Sequence, residues 1–136
     1  MPCCYKIDRE RRLVMSTGYG VVRREDLMEH QNQLLADPDF DPAFSQLMDF
    51  GHMTKLEVTA TDMHLLAERN IFAPGARRAV VVSDDAGYGL ARMFETLRDE
   101  KGERGIRVFR RLEDGLEWVF SEEDRSNNKK AQTPHP

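Results

Sequence analysis

Hydrophobic and polar positions change period several times along the chain, and each change marks an element. Tyr5 and Ile7 alternate with Lys6 and Asp8, and Arg9-Glu10-Arg11 reads as a charged turn. Leu13-Val14-Met15-Ser16-Thr17 follows as a second strand, so the chain opens with a β-hairpin that Gly18 and Gly20 end. From Glu25 the period becomes helical, with Leu27, Met28, Gln31, Leu34 and Leu35 on one face. Glu25 and Asp26 suit the positive end of that helix dipole, and Pro38 and Pro42 stop it. Phe44 to Phe50 reads as a short strand ending at Asp49, followed by a loop from Gly51 to Val58. A second helix is predicted from Thr59 to Asn70, with Met63, Leu66, Ala67 and Ile71 inward, and Phe72-Ala73-Pro74-Gly75 breaks it.

The segment Arg78-Ala79-Val80-Val81-Val82-Ser83 is apolar on both faces, as a central parallel strand requires. Ser83, Asp84 or Asp85 then caps a third helix with Leu90, Ala91, Phe94 and Leu97 inward. Ile106 to Phe109 forms a last strand, and Leu112, Leu116, Val119 and Phe120, with Trp118 beside them, form a last helix. Single helices between strands imply parallel pairing through right-handed crossovers. The predicted fold is α/β in the order ββαβαβαβα. It has a mostly parallel sheet of four to five strands, an antiparallel N-terminal edge strand and four helices. Residues 3–120 form one domain, and the polar segment 121–136, with Ala131 its only apolar residue, is expected to be a disordered tail.

Composition narrows the function. Twenty Lys and Arg face 24 Asp and Glu, a net charge of −4 that argues against a nucleic-acid partner. The run Ala79 to Val82 is far below membrane-spanning length, and Met1 to Lys6 holds no signal-peptide stretch, so a cytoplasmic domain is expected. Cys3 and Cys4 are adjacent, a poor geometry for a disulfide, and read as thiols at the start of an edge strand. His30, His52, His64 and His135 lack paired spacing, so neither a metal nor a cofactor is expected. The doublets Arg11-Arg12, Arg23-Arg24, Arg77-Arg78 and Arg110-Arg111 fall at element boundaries and read as solvated partners of the surplus carboxylates.

Several positions carry candidate chemistry. Gly87-Tyr88-Gly89 opens the third helix, where backbone amides can meet an anion, but it lacks the last glycine of a dinucleotide fingerprint and reads as a tight helix start. Asp49 and Asp84 lie near carboxyl ends of strands, where open α/β sheets place ligands, and Asp84 reads as a cap. His52 follows Asp49 by three residues, a base-and-orienter pair without a specified nucleophile.

Taken together, Gln46-Leu47-Met48-Asp49-Phe50, the loop after it and the helix from Thr59 resemble the central signature of STAS domains, the SpoIIAA-like anti-sigma-factor antagonists and relatives. The body is also similar to bacterial stand-alone STAS/SEC14-like proteins. That likeness runs through Tyr5-Lys6-Ile7-Asp8, Asp37-Pro38-Asp39-Phe40, Pro74-Gly75-Ala76-Arg77-Arg78 and Gly89-Leu90-Ala91-Arg92-Met93. The resemblance implies a non-catalytic regulatory module that meets a protein partner. Phosphorylatable members carry Asp-Ser-Ser-Gly where this chain has Glu57-Val58-Thr59-Ala60, which makes Thr59 the candidate phospho-acceptor, though threonine is also an ordinary N-cap. The expected interaction surface comprises Asp49, Gly51, His52, Thr54 and Thr59. The alternative is a carrier or sensor of a small apolar or anionic ligand, in a pocket lined by Phe72, Tyr88, Met93 and Phe94. An enzyme using Asp49 and His52 is a third reading.

Overall fold

The computed structural model describes residues 2–121; the tail expected beyond Phe120 lies outside that range apart from Ser121. The elements follow in the predicted order: β1 Cys3–Asp8, β2 Leu13–Arg23, α1 Arg24–Ala36, β3 Ser45–Glu57, α2 Ala60–Ala67, β4 Arg78–Val81, α3 Asp85–Glu100, β5 Ile106–Phe109 and α4 Leu112–Phe120. They build a five-stranded sheet in the order β1-β2-β3-β4-β5. β1 pairs antiparallel with β2, and every other pair is parallel.

Crossovers of one hand that step across a sheet in one direction put their helices on one face. Alternate strand residues accordingly face two separate interiors. Val14, Met48, Phe50 and Val82 face α1 and α3, while Leu13, Leu47, Ala79 and Val81 meet Trp118 and Val119 of α4. Leu34 and Leu47 are fully buried, and each such side chain contributes about 2 kcal/mol. α4 lies close because of Gly115, where a Cβ would sit 3.0 Å from Val81 and 3.1 Å from Leu47. That contact turns Gly115, Trp118 and Val119 inward and leaves Leu112 and Phe120, expected on the inner face, exposed.

The structure corrects two strand ends. Gly18 and Gly20 do not end β2, which continues to Arg23. A Cβ at Gly18 would stand 2.7 Å from the Phe50 ring, and Gly20 holds φ +67° at an irregularity in the ladder. Gly18 thus serves packing and Gly20 the left-handed backbone of the irregularity. Nor does β3 stop at Phe50, because the longer β2 supplies partners as far as Arg23↔Glu57. β3 carries two extra residues, one between the pairs Thr17↔Asp49 and Tyr19↔His52, the other between Gly20↔Met53 and Val21↔Lys55. Such bulges break the period-two pattern, which is why the segment reads as a loop in the sequence.

In α1 the inner face turns toward His30 and Leu34, both buried, whereas Leu35 is exposed. α2 ends at Ala67, short of the predicted Asn70, yet Met63, Leu66, Ala67 and Ile71 are all buried as expected. Thr59 caps α2 and Asp84 caps α3. Cys3 is buried and Cys4 exposed on the edge strand, both as free thiols. The doublets are not uniformly solvated: Arg77 and Arg78 are buried.

Candidate functional site

Asp49 lies in β3, Gly51, His52 and Thr54 lie along the same strand rather than in a loop, and Thr59 stands two residues beyond its end. Asp49 accepts a hydrogen bond from the Gly51 amide at 2.8 Å. Among the described residues, no hydrogen bond or ion pair joins Asp49 to His52. Gly51, His52, Thr54 and Thr59 are exposed. The Thr59 hydroxyl accepts from the Asp62 amide at 3.1 Å, while the Asp62 carboxylate accepts from the Thr59 amide at 3.0 Å, a complete capping box. β4 accompanies β3 only from Gln46 to Asp49, so from Gly51 to Glu57 one edge of β3 pairs with no described strand.

At the start of α3, the anion position suggested by Gly87-Tyr88-Gly89 is already taken. The Asp84 carboxylate accepts from the Gly87 amide at 2.8 Å, and a Cβ at Gly87 would sit 2.7 Å from Val82. Gly87 is there for close packing of helix on sheet. Among the described residues no cluster of three His, Cys, Asp or Glu side chains could hold a metal ion, and no helix is long and apolar enough to cross a membrane.

A cavity of about 90 Å³ lies between the sheet and α1, α2 and α3. Phe72 and Phe94 line it as expected, but Tyr88 and Met93 do not. Tyr88 instead lies under the Arg110 guanidinium, 4.1 Å from its ring centre, and Met93 packs against the Val58, Met63 and Leu66 cluster. The reason is helical phase: residues 88 and 93 stand six and one positions before Phe94, off the stripe that faces the sheet. Leu34, Met48, Phe50, Ile71 and Val82 complete most of an apolar wall. Val80, in the middle of the sheet, is only half-buried, and the space beside it is this cavity. Three polar side chains interrupt the wall: Gln31, Gln46 and Arg78.

Gln46 and Arg78 belong to a chain of buried hydrogen bonds that crosses the interior. Arg78 donates from Nε to Gln46 Oε1 at 3.2 Å, which fixes the Gln46 amide so that its Nε2 donates to Ser16 Oγ at 3.1 Å. The same Ser16 hydroxyl lies within hydrogen-bond distance of His30 Nε2, 2.8 Å away. In the other direction, Arg78 Nη1 reaches both oxygens of Glu103 at 3.3 and 3.2 Å. Arg98 donates from Nε to Glu103 at 2.8 Å and from Nη1 to the Ala67 carbonyl at the end of α2, at 2.6 Å. Ser16, His30, Gln46, Arg78, Arg98 and Glu103 are all under 9% exposed.

Burial, with the Arg78 guanidinium as a second cause, pulls the His30 pKa down to about 4, so the ring is neutral at pH 7. Burial also lowers the pKa of Arg78, while Glu103 acts in the opposite direction. The rings of Phe72 and Phe94 stand 4.4 and 5.8 Å from the Arg78 guanidinium, a further favourable contact for a cation out of water.

None of this polar chain is legible as a site in the sequence. The available signal is polar residues inside strands whose neighbours are apolar on the same face: Ser16 beside Val14, Gln46 beside Met48, and Arg78 before Val80. Glu103 gives no such signal, because it follows a helix end and reads as a surface acid.

No model of a protein family matches the sequence, and no curated protein is similar to it. Among solved structures, the chain is similar to an uncharacterized protein of the DUF3478 family, with a SpoIIAA-like fold, from Shewanella loihica PV-4. The two share 17% identity and superpose with a TM-score of 0.55 over 86% of this chain and 93% of the other. The likeness establishes the fold.

Proposed function

On the premise of a SpoIIAA-like fold, we propose that the protein is a non-catalytic, STAS-type cytoplasmic module whose sheet–helix cavity carries or senses a small, largely apolar ligand. The observation that carries the reading is the cavity itself. Protein cores pack to crystal density with few voids larger than a water molecule, whereas binding sites are concave, mostly apolar and marked by a few placed polar groups. A space of about 90 Å³ walled by Leu34, Phe50, Phe72 and Phe94 and interrupted by Gln31, Gln46 and Arg78 fits the second description. Native mass spectrometry of the protein from its own source tests it. A bound small molecule is expected. A bare chain, together with no NMR shift of Met48, Met63 or Ile71 methyls on adding small apolar ligands, would refute it.

A protein-partner role has its own support in the free edge of β3 from Gly51 to Glu57, where His52, Thr54 and Lys55 are exposed beside Thr59. Unpaired strand edges recruit peptide strands through main-chain hydrogen bonds. Thr54→Pro distorts that edge, and the expected outcome is loss of a partner co-purified from the native host. Finding no partner in either phosphorylation state of Thr59 counts against this role.

A further inference from the structure

The interior beside the cavity holds more positive than negative charge. Arg78 and Arg98 share one carboxylate, that of Glu103, and His30 is neutral. Arg98 has a second acceptor, the Ala67 carbonyl at the partially negative end of the α2 dipole. Arg78 has the neutral Gln46 side-chain carbonyl and the Phe72 and Phe94 rings, but no helix end. Its Nε and Nη1 are committed to Gln46 and Glu103, and its Nη2 donates to no described residue, although the side chain lines the cavity. Across the same space, Gln31 Oε1 is buried without a partner. An amide reversed by half a turn would present donors there instead.

From these contacts we infer that the cavity takes a short-chain carboxylate, its carboxylate oxygens accepting from Arg78 Nη2 and the Gln31 amide and its alkyl end lying against Phe50, Phe72 and Phe94. The inference rests on the cavity being a ligand site and adds the charge and size of the ligand. A buried guanidinium short of counter-charge favours an anion over a neutral isostere, because the charge-assisted bonds it forms are about twice as strong as neutral ones. Size points to a small acid. The volume of about 90 Å³ is below the ~150 Å³ that accepts benzene.

Propanoate, 1-propanol and propylamine, titrated separately into the full chain and followed by methyl NMR shifts, separate the possibilities. Propanoate is expected to bind at least about tenfold tighter than 1-propanol, and propylamine weakest. Equal affinities for propanoate and 1-propanol overturn the carboxylate assignment and leave the cavity reading standing. No shift with any of the three overturns both. Two substitutions then move the preference in opposite directions although both weaken the fold. Arg78→Gln abolishes the advantage of propanoate, and Glu103→Gln increases it. Retention of the advantage in Arg78→Gln assigns the anion elsewhere, and where that variant does not fold, the comparison on the unaltered chain decides.

Discussion

Replacing Glu103 by glutamine keeps the shape of the side chain and removes the carboxylate shared by Arg78 and Arg98. Glu103 and Arg98 are each 3% exposed and Arg78 is 8% exposed, so solvent screens these charges little. The carboxylate accepts from Arg98 at 2.8 Å and from Arg78 at 3.2 and 3.3 Å. Removing one partner of a buried ion pair costs about 3–5 kcal/mol, because the remaining charge stays out of water. Here two guanidiniums are left, so the upper part of that range is expected. A domain of this size has roughly 6–18 kcal/mol in total, so the variant still folds but unfolds early. In urea, with a slope of about 2 kcal/mol per molar, the midpoint drops by about 2 M.

The triple replacement Arg78→Met, Arg98→Met, Glu103→Leu supplies the control. Apolar groups of similar volume are often neutral or stabilising in place of a buried charged triad, so most of the lost stability should return. A loss below about 1 kcal/mol in Glu103→Gln is the range of exposed ion pairs and would refute the buried-triad account.

Three further outcomes are expected. The folded-state pKa of His30 is about 4 against an ordinary 6.5, so the unfolded chain takes up the proton first on acidification. The His30 contribution is therefore complete above pH 6.5 and declines toward pH 4, by about 2 kcal/mol between pH 7.5 and 5; urea midpoints across that range should lose this slope in His30→Gln, and an imidazole NMR midpoint above 6 would contradict it. Gly105→Ala would drive a Cβ to 2.1 Å from the Ala76 carbonyl oxygen, beside the amide of Arg78 that bonds Gly105, and should cost about 3 kcal/mol in chemical denaturation. Thr59→Ala removes the acceptor of the Asp62 amide and should cost about 1 kcal/mol, whereas His52→Ala on the exposed edge stays within about 0.5 kcal/mol, both by urea titration.

The candidate site was only partly legible in the chain. Phe72 and Phe94 follow from the expectation of a pocket between sheet and helices, and both line the cavity. Tyr88 and Met93 share the third helix with Phe94, and the phase of that helix turns them elsewhere. The segment Gly51 to Thr54, expected as a loop, belongs to a strand, since pairing with β2 extends β3.

Local chemistry determined the order of elements. The 3.6 and 2.0 periods, the prolines after α1, and the Thr59 and Asp84 caps act between residues close in sequence, so the chain states them directly. The parallel sheet follows as well, because single helices between strands leave little alternative. Tertiary structure alone decided where the strands end, which arginines are buried, and that Ser16, His30, Gln46, Arg78, Arg98 and Glu103 meet. Those contacts join residues up to 32 positions apart along the chain. Their energies depend on which groups share a volume without water, and no local pattern of polar and apolar residues encodes that.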